Sequence, residues 1–343
     1  MSLCDSSQRR LVHALAAACM LATAAPAGAQ TAIRLSLDGR LEGPVAPFVV
    51  AQEQGYYRNE GIAVTIDEAA SGLEPITRVA SGSHEMGFAD INALLRWRDQ
   101  NPAAPIKAVF MVYNRPPYAV LARRSRGVSE PRQLEGKKLG GSPAGSTFAQ
   151  WPLFAKLNGI DPAKVSVESI GVPVRAPMLA AGQLDAVLGF SFRVYIDVKD
   201  RGVPLEDLVL MPMANYGLKL YGSAIIVGSK IAAEKPEALK GFLQAYLSGL
   251  KETIRRPVEA IDAIVRRADG IKTDVELERL RMAIRDNILT AEVRADGLGG
   301  VDVGRMSEAI EQLGSVQAFK AKPKAEDVLD PAFLPPAGER RIN

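Results

Sequence analysis

Apolar positions recur every second residue in some short runs of the chain and every third or fourth residue in others, and the two periods alternate. Residues 32–37 (AIRLSL) alternate as a strand. Residues 46–54 carry the helical spacing, and Gly55 predicts its end. A second strand is predicted at 62–66 (IAVTI), a helix at 74–80, a strand at 86–89, a helix at 91–98 and a buried strand at 106–113 (IKAVFMVY). This β-α-β-α-β-α-β order predicts a layered α/β lobe with a largely parallel sheet.

Asn114-Arg115-Pro116-Pro117 then interrupts the pattern. Two prolines exclude continued helix and favour an extended connection, so the strand predicted at 118–122 enters a second lobe. Further strands are predicted at 138–140, 165–170, 186–189 and 208–211, with helices at 147–158, 176–182 and 195–201. Residues 220–227 (LYGSAIIV) are apolar and β-branched and predict the return to the first lobe. From Lys230 onward the chain reads as helical, with an apolar stripe at Leu239, Phe242, Leu243, Tyr246 and Leu250. The last 25 residues hold several prolines and charges and are expected to form a packed or loose tail. The predicted organisation is a leader at 1–29, a discontinuous lobe 1 at 30–117 and 222–343 that includes the C-terminal helices, and lobe 2 at 118–221. Two crossings place a cleft between the lobes, where small-molecule sites form naturally.

Composition narrows the function classes. The chain has 343 residues, enough for two domains, and a net charge of +3 with no dense basic block, which gives no support for nucleic-acid binding. Arg9 and Arg10, the apolar run 11–25 and the small residues Ala27-Gly28-Ala29 read as an export leader, expected to be cleaved before Gln30. An N-terminal anchor or a buried core helix is the alternative reading. Cys19 after Ala16-Ala17-Ala18 makes a poor lipobox, so lipid anchoring ranks below cleavage. Both cysteines, Cys4 and Cys19, fall in this leader, so a processed chain has no disulfide, thiolate metal site or cysteine nucleophile. His84 is the one histidine beyond the leader and is expected in a surface loop. No metal-ligand spacing and no Ser/His/Asp arrangement is legible, and no cofactor is called for.

Four segments taken together carry a resemblance: FVVAQEQGYYRNEGIAVTI (residues 48–66), RVASGSHEMGFAD (78–90), GVSEPRQLEGKKLG (127–140) and MLAAGQLDAVLGF (178–190). The chain resembles the substrate-binding proteins of bacterial ABC importers for nitrate, sulfonates, taurine and thiamine precursors, over roughly residues 32–260. The resemblance implies an α/β type II periplasmic-binding fold with two lobes, two crossover connections and a helical C-terminal region. It further implies a monomer in the periplasm that captures a small-molecule ligand by lobe closure and hands it transiently to an inner-membrane ABC permease.

Candidate ligand residues lie where predicted strands exit toward the cleft. Asp38 and Arg40 follow the first strand, near the exit where family members bind ligand; a plain Asp-Gly turn is the alternative. Ser71 and Gly72 precede a helix and can present N–H groups or simply cap it, and Asp90 can meet ligand or cap the next helix. Ser142, Gly145, Ser146 and Thr147 form a loop of hydroxyl and N–H donors suited to a sulfonate, carboxylate or phosphate. It lacks the Gly-Lys-Ser/Thr ending of a nucleotide P-loop. Trp151 can stack on a planar ligand or sit in the core. Arg175 is expected in a loop after a strand, forked onto an anion or in a surface ion pair. Phe190 and Tyr216 can line the pocket, Tyr216 either there or at the hinge.

Gly145 to Thr147 together with Arg175 favour a small organic anion, such as a sulfonate, taurine or an aromatic carboxylate. The aromatics favour a thiamine-precursor pyrimidine or related heterocycle. The function expected is solute capture, with a sensory subunit or a pyrimidine-forming enzyme on the same scaffold as the competing classes.

Overall fold

A computed structural model describes residues 30–267 and 270–342; the predicted leader lies outside the described residues. Among the described residues there are ten strands: β1 (Thr31–Ser36), β2 (Ile62–Asp67), β3 (Met86–Asp90), β4 (Lys107–Met111), β5 (Tyr118–Arg123), β6 (Lys138–Gly141), β7 (Ser166–Ser169), β8 (Ala186–Phe190), β9 (Leu208–Pro212) and β10 (Ser223–Val227). They form two five-stranded sheets, ordered β2-β1-β3-β10-β4 and β7-β6-β8-β5-β9. Alternation built these strands: in β1, Ile33 and Leu35 are buried while Ala32 and Arg34 face water.

The sheets are mixed rather than largely parallel. β1 runs parallel to β2 and β3, but β10 is antiparallel to β3 and β4. Likewise β5 is antiparallel to β8 and β9. The reason is topological. β5 and β10 each enter their sheet directly from the other lobe, so they start at the edge where β3 and β8 end.

The helices between the strands include α1 (Ala46–Glu53), α2 (Glu74–Ala80), α3 (Ile91–Gln100), α4 (Ser146–Ala149), α5 (Trp151–Leu157), α6 (Val172–Ala180) and α7 (Ser191–Lys199). Three differ from expectation. The helix expected at 147–158 is two pieces, α4 and α5, parted at Gln150. Pro152 is the second residue of α5 and has no N–H for a bond to the preceding turn. α6 starts at Val172, because Pro173 suits a first turn. α7 starts at Ser191, directly after β8. The last two shifts carry Arg175 and Arg193 into helices.

The C-terminal helices are α8 (Pro236–Arg255), α9 (Pro257–Val265), α10 (Thr273–Ala283), α11 (Ala291–Asp296) and α12 (Val303–Gly314). α8 lays Leu239, Phe242, Leu243, Tyr246 and Leu250 on the first sheet's core; each such side chain contributes roughly 1.5–3 kcal/mol. Tyr246 meets Phe48 of α1 at 4.5 Å between ring centroids and Phe110 of β4 at 5.3 Å. Gly249 permits this approach, since a Cβ there would stand 2.5 Å from the Pro47 carbonyl oxygen. The C-terminal tail packs: Val328 is buried and Asp330 N donates to the Ala108 carbonyl of edge strand β4. Beside it an apolar cavity of about 190 Å³, lined by Phe110, Met111, Leu329, Pro331 and Leu334, sits on the outer edge of the first lobe.

The lobes are joined by residues 112–117 and 217–222. The two connections bond to each other: Val112 N and Tyr113 N donate to Ser223 O, and Gly222 N donates to Tyr113 O. A Cβ at Gly222 would fall 2.8 Å from Tyr113 Cβ, so glycine is what lets the two segments touch.

Candidate functional site

The exit of β1 faces the first turn of α7 across the lobe boundary. Arg193, on α7, donates from Nε to Glu42 Oε2 at 2.7 Å, and a Cβ at Gly39 would stand 3.1 Å from Arg193 Nη2. Its guanidinium also lies 5.4 Å from the ring centroid of Phe190, a cation–π geometry. A second inter-lobe approach lies nearby, where a Cβ at Gly72 would be 3.7 Å from Ser146 Oγ. Asp38, Gly39, Glu42, Ser71 and Gly72 therefore face Ser146, Phe190 and Arg193 across one cleft.

Charge in this cleft is arranged around Arg193. Burial works against its charge, but Glu42 and Asp38 outweigh that and hold the guanidinium more firmly protonated than usual. Burial also works against Glu42, yet Arg193 and Arg279 keep its carboxyl below the ordinary range. Asp38 is the exception. Burial pushes it up to about 6 in spite of Arg193, and Ser223 Oγ donates to its Oδ2 at 3.3 Å. A destabilised carboxylate at a cleft-facing strand end is a mark of a functional site.

The other candidates separate into groups. Asp90 caps α3, accepting from Ala93 N at 2.8 Å, and takes the Tyr118 hydroxyl; burial raises its pKa. Ser142 O accepts from Gly145 N at 2.8 Å, so the predicted donor loop is a tight turn. The helix that follows it is only four residues long and carries little dipole. Thr147 Oγ1, and Ser191 Oγ at the start of α7, are buried and make no hydrogen bond among the described residues. Arg40 is exposed.

Of three further candidates, Arg175 was expected in different surroundings, and Trp151 and Tyr216 were each left between two alternatives. Arg175 is not in a loop. It is buried in α6, donates from Nη1 to Leu188 O at 2.9 Å, and burial lowers its pKa to about 10. Trp151 is buried in the core beside Phe154, at 6.1 Å between centroids. Tyr216 packs edge-on against the same Phe154, at 5.9 Å.

His84 is buried rather than on a surface loop. Its Nε2 meets Asp67 Oδ2 at 2.9 Å and its Nδ1 meets Ser83 Oγ at 3.1 Å, a Ser-His-Asp row that the sequence did not reveal. Ser83 Oγ is shared with the Arg78 carbonyl in the α2–β3 turn. Among the described residues there is no group of three or more His, Cys, Asp or Glu fit to hold a metal ion. Reading the sequence missed Arg193 and Glu42. The available signal was Arg193 standing four residues past the β8 glycine, Gly189, in a first helical turn.

Two mixed sheets joined by two connections over a cleft define the type II periplasmic-binding fold of solute-binding proteins. The aliphatic sulphonate binding protein SsuA from Escherichia coli superposes with a TM-score of 0.69 at 11% identity, covering 87% of this chain and 92% of that one. The nitrate-binding protein NrtA from Synechocystis gives 0.57 at 12%, covering 73% and 70%. The chain belongs to the NMT1/THI5-like family, whose model matches residues 43–260, more than half of its length. It is 27% identical over 220 residues to the riboflavin-binding protein RibY of Chloroflexus aurantiacus, covering 63% of this chain and 61% of RibY. It is 24% identical over 318 residues to a formylaminopyrimidine-binding protein of Halalkalibacterium halodurans, covering 91% and 93%. A 4-amino-5-hydroxymethyl-2-methylpyrimidine phosphate synthase of Schizosaccharomyces pombe is 22% identical, with 63% of its length matched. The match to the first of these relatives thus spans less than two thirds of that protein.

Proposed function

We propose that this chain is the exported solute-binding component of an ABC importer, and that its ligand is a neutral nitrogen heterocycle held between the lobes. The observation that carries the ligand class is the pairing of Arg193. An anion needs an unpaired cation or an array of free N–H donors. Here the charge of Arg193 at the lobe boundary is already balanced by Glu42 and Asp38, and Arg175 is buried in α6 with its Nη1 on the Leu188 carbonyl. Asp38 instead offers a carboxyl that pairs with a ring N and an exocyclic NH₂, as an aminopyrimidine presents them, with Ser146 on the facing lobe. The pyrimidine- and flavin-binding relatives support the same class. A small organic anion, favoured by the donor loop and Arg175 in sequence, is the competing ligand.

Capture proceeds by closure: a ligand touching both lobes binds the closed form better and shifts the population toward it. The closed monomer then docks on the inner-membrane permease from the periplasmic side. No described helix is long and apolar enough to cross a membrane. The chain is proposed to bind rather than transform its ligand. Outside the leader its one histidine is tied to Asp67 and it has no cysteine.

Thermal unfolding with riboflavin, 4-aminopyrimidines, alkanesulfonates and taurine tests this reading. A ligand at about 100 times its Kd adds roughly 2.7 kcal/mol, a shift of a few degrees. A saturable shift from the heterocycles alone is expected. A shift from sulfonates alone would overturn the ligand class, and a changed mass of the recovered heterocycle would overturn the non-enzymatic reading.

A further inference from the structure

Both connections between the lobes are held by one side chain that belongs to neither. Arg305, in the first turn of α12, uses all five N–H donors of its guanidinium. Nε donates to Lys219 O at 3.1 Å. Nη1 donates to Asn114 Oδ1 at 3.2 Å and to Glu292 Oε2 at 2.8 Å. Nη2 donates to Asn114 O and Leu220 O, both at 2.8 Å. Asn114 lies on the first connection; Lys219 and Leu220 lie on the second.

The surroundings hold this guanidinium in one orientation. Its Cζ lies 3.9 Å from the Tyr221 ring centroid, and the Tyr221 hydroxyl donates to Glu292 Oε1 at 2.7 Å. Asn114 Nδ2 donates to the same oxygen at 2.8 Å, and Thr290 Oγ1 donates to Asn114 Oδ1 at 2.7 Å. Asp302 caps the Arg305 backbone N–H at 2.6 Å.

We propose that Arg305 is a positioning residue for ligand capture: by bonding Asn114 O and Leu220 O from a single Nη2, it fixes the angle between the two connections and so sets the resting opening of the cleft. The proposal rests on the reading that lobe closure captures ligand. Rotation of one lobe against the other changes the separation of these two carbonyls, and a rigid planar fork holds both only over a narrow range. Lysine, a point charge with three donors, cannot span the same five acceptors.

The test needs no ligand, so its outcome is independent of whether a ligand class has been identified. In the full chain carrying Cys4→Ser and Cys19→Ser, spin labels are placed at Asn59→Cys and Ala163→Cys, which are exposed on lobe 1 and lobe 2. The distance distribution is compared for the parent, Arg305→Met and Arg305→Lys. The expected result is a narrow parent distribution that broadens and moves in Arg305→Met, with Arg305→Lys closer to Arg305→Met than to the parent. A purely structural residue would lower the unfolding temperature and leave the distribution in place. That result, with parent-like circular dichroism, would overturn the proposal. Should Arg305→Met not fold, Arg305→Lys carries the same two outcomes.

Discussion

Replacing Asp38 by asparagine should make the protein more stable, and only above acid pH. The Asp38 carboxyl is pushed from the ordinary aspartate value of 3.8 to about 6, chiefly by burial, with Arg193 opposing. Because the folded pKa lies above the unfolded one, the folded state holds the proton more tightly. The associated stability is fully present below about pH 4 and is lost as pH rises through 6. Two pH units at about 1.4 kcal/mol each set an upper limit of about 3 kcal/mol on the cost of the ionised group at pH 8. The residue retains some exposure and solvent screens part of that cost, so a gain of about 1–2 kcal/mol is expected for Asp38→Asn. Asparagine keeps an oxygen for the Ser223 hydroxyl, so the comparison isolates charge. Urea unfolding at pH 4 and pH 8, followed by circular dichroism, reads the difference as a shift in midpoint at constant slope. Equal stability at pH 8, or a gain that persists at pH 4, would refute the argument. The same variant should lose heterocycle binding, since stability forgone at a cleft residue is the usual cost of function.

Arg193→Met should cost about 2 kcal/mol at pH 7, between the values for exposed and buried pairs, because both partners are about one-fifth exposed. Glu42, held low by Arg193 and Arg279 against its burial, makes its contribution above its unfolded pKa, so the loss should shrink in urea titrations as pH falls toward 4. Gly222→Ala puts a Cβ 2.8 Å from Tyr113 Cβ and should destabilise by about 1–3 kcal/mol in thermal unfolding, with altered lobe spacing by small-angle scattering. Trp151→Ala should cost about 3–5 kcal/mol as a core truncation, whereas Trp151→Phe should bind ligand as the parent does in the thermal-shift assay.

Strand positions were legible because period-2 burial is a local property: each predicted strand overlaps an observed one, and the predicted return at 220–227 contains β10. The position of Asp38 just past the end of β1 was legible for the same reason. Helix starts were less so. The apolar stripe of α7 is clearest from Tyr195 onward, yet the helix begins at Ser191, so Arg193 lies outside the helix predicted at 195–201. α6 likewise begins at Val172, which turned Arg175 from a loop arginine into a buried helical one. Trp151 shows a different limit: an aromatic on a helix has the same spacing whether its face meets ligand or core, and only packing against Phe154 decides. The hinge staple was out of reach altogether, because Arg305 meets Asn114 across 191 residues of chain.

The side of the cleft formed by α7 shows why its charge pattern argues for recognition by Asp38 and neutral donors. Arg193, Asp197 and Asp200 follow one another at four and three residues, so they share a face, and each has a partner outside lobe 2. Arg193 pairs with Glu42, Asp197 with Arg279, and Asp200 with Lys272 at 2.8 Å; Lys199 pairs with Glu278 at 2.6 Å. Every charge of the helix and of its cap is therefore used to register the second lobe against the first and its C-terminal helices. Such pairs fix orientation more than they add stability, since most are partly exposed and solvent-screened. An anion placed at Arg193 would meet the Glu42 and Asp38 carboxylates together with the guanidinium, so much of the attraction of that cation is already offset. Asp38 feels the Arg193 charge but makes no direct ion pair with it among the described residues, and accepts only from Ser223 Oγ. Burial disfavours its charge, so a ligand N–H donated to it would stabilise the closed cleft by relieving the buried carboxylate.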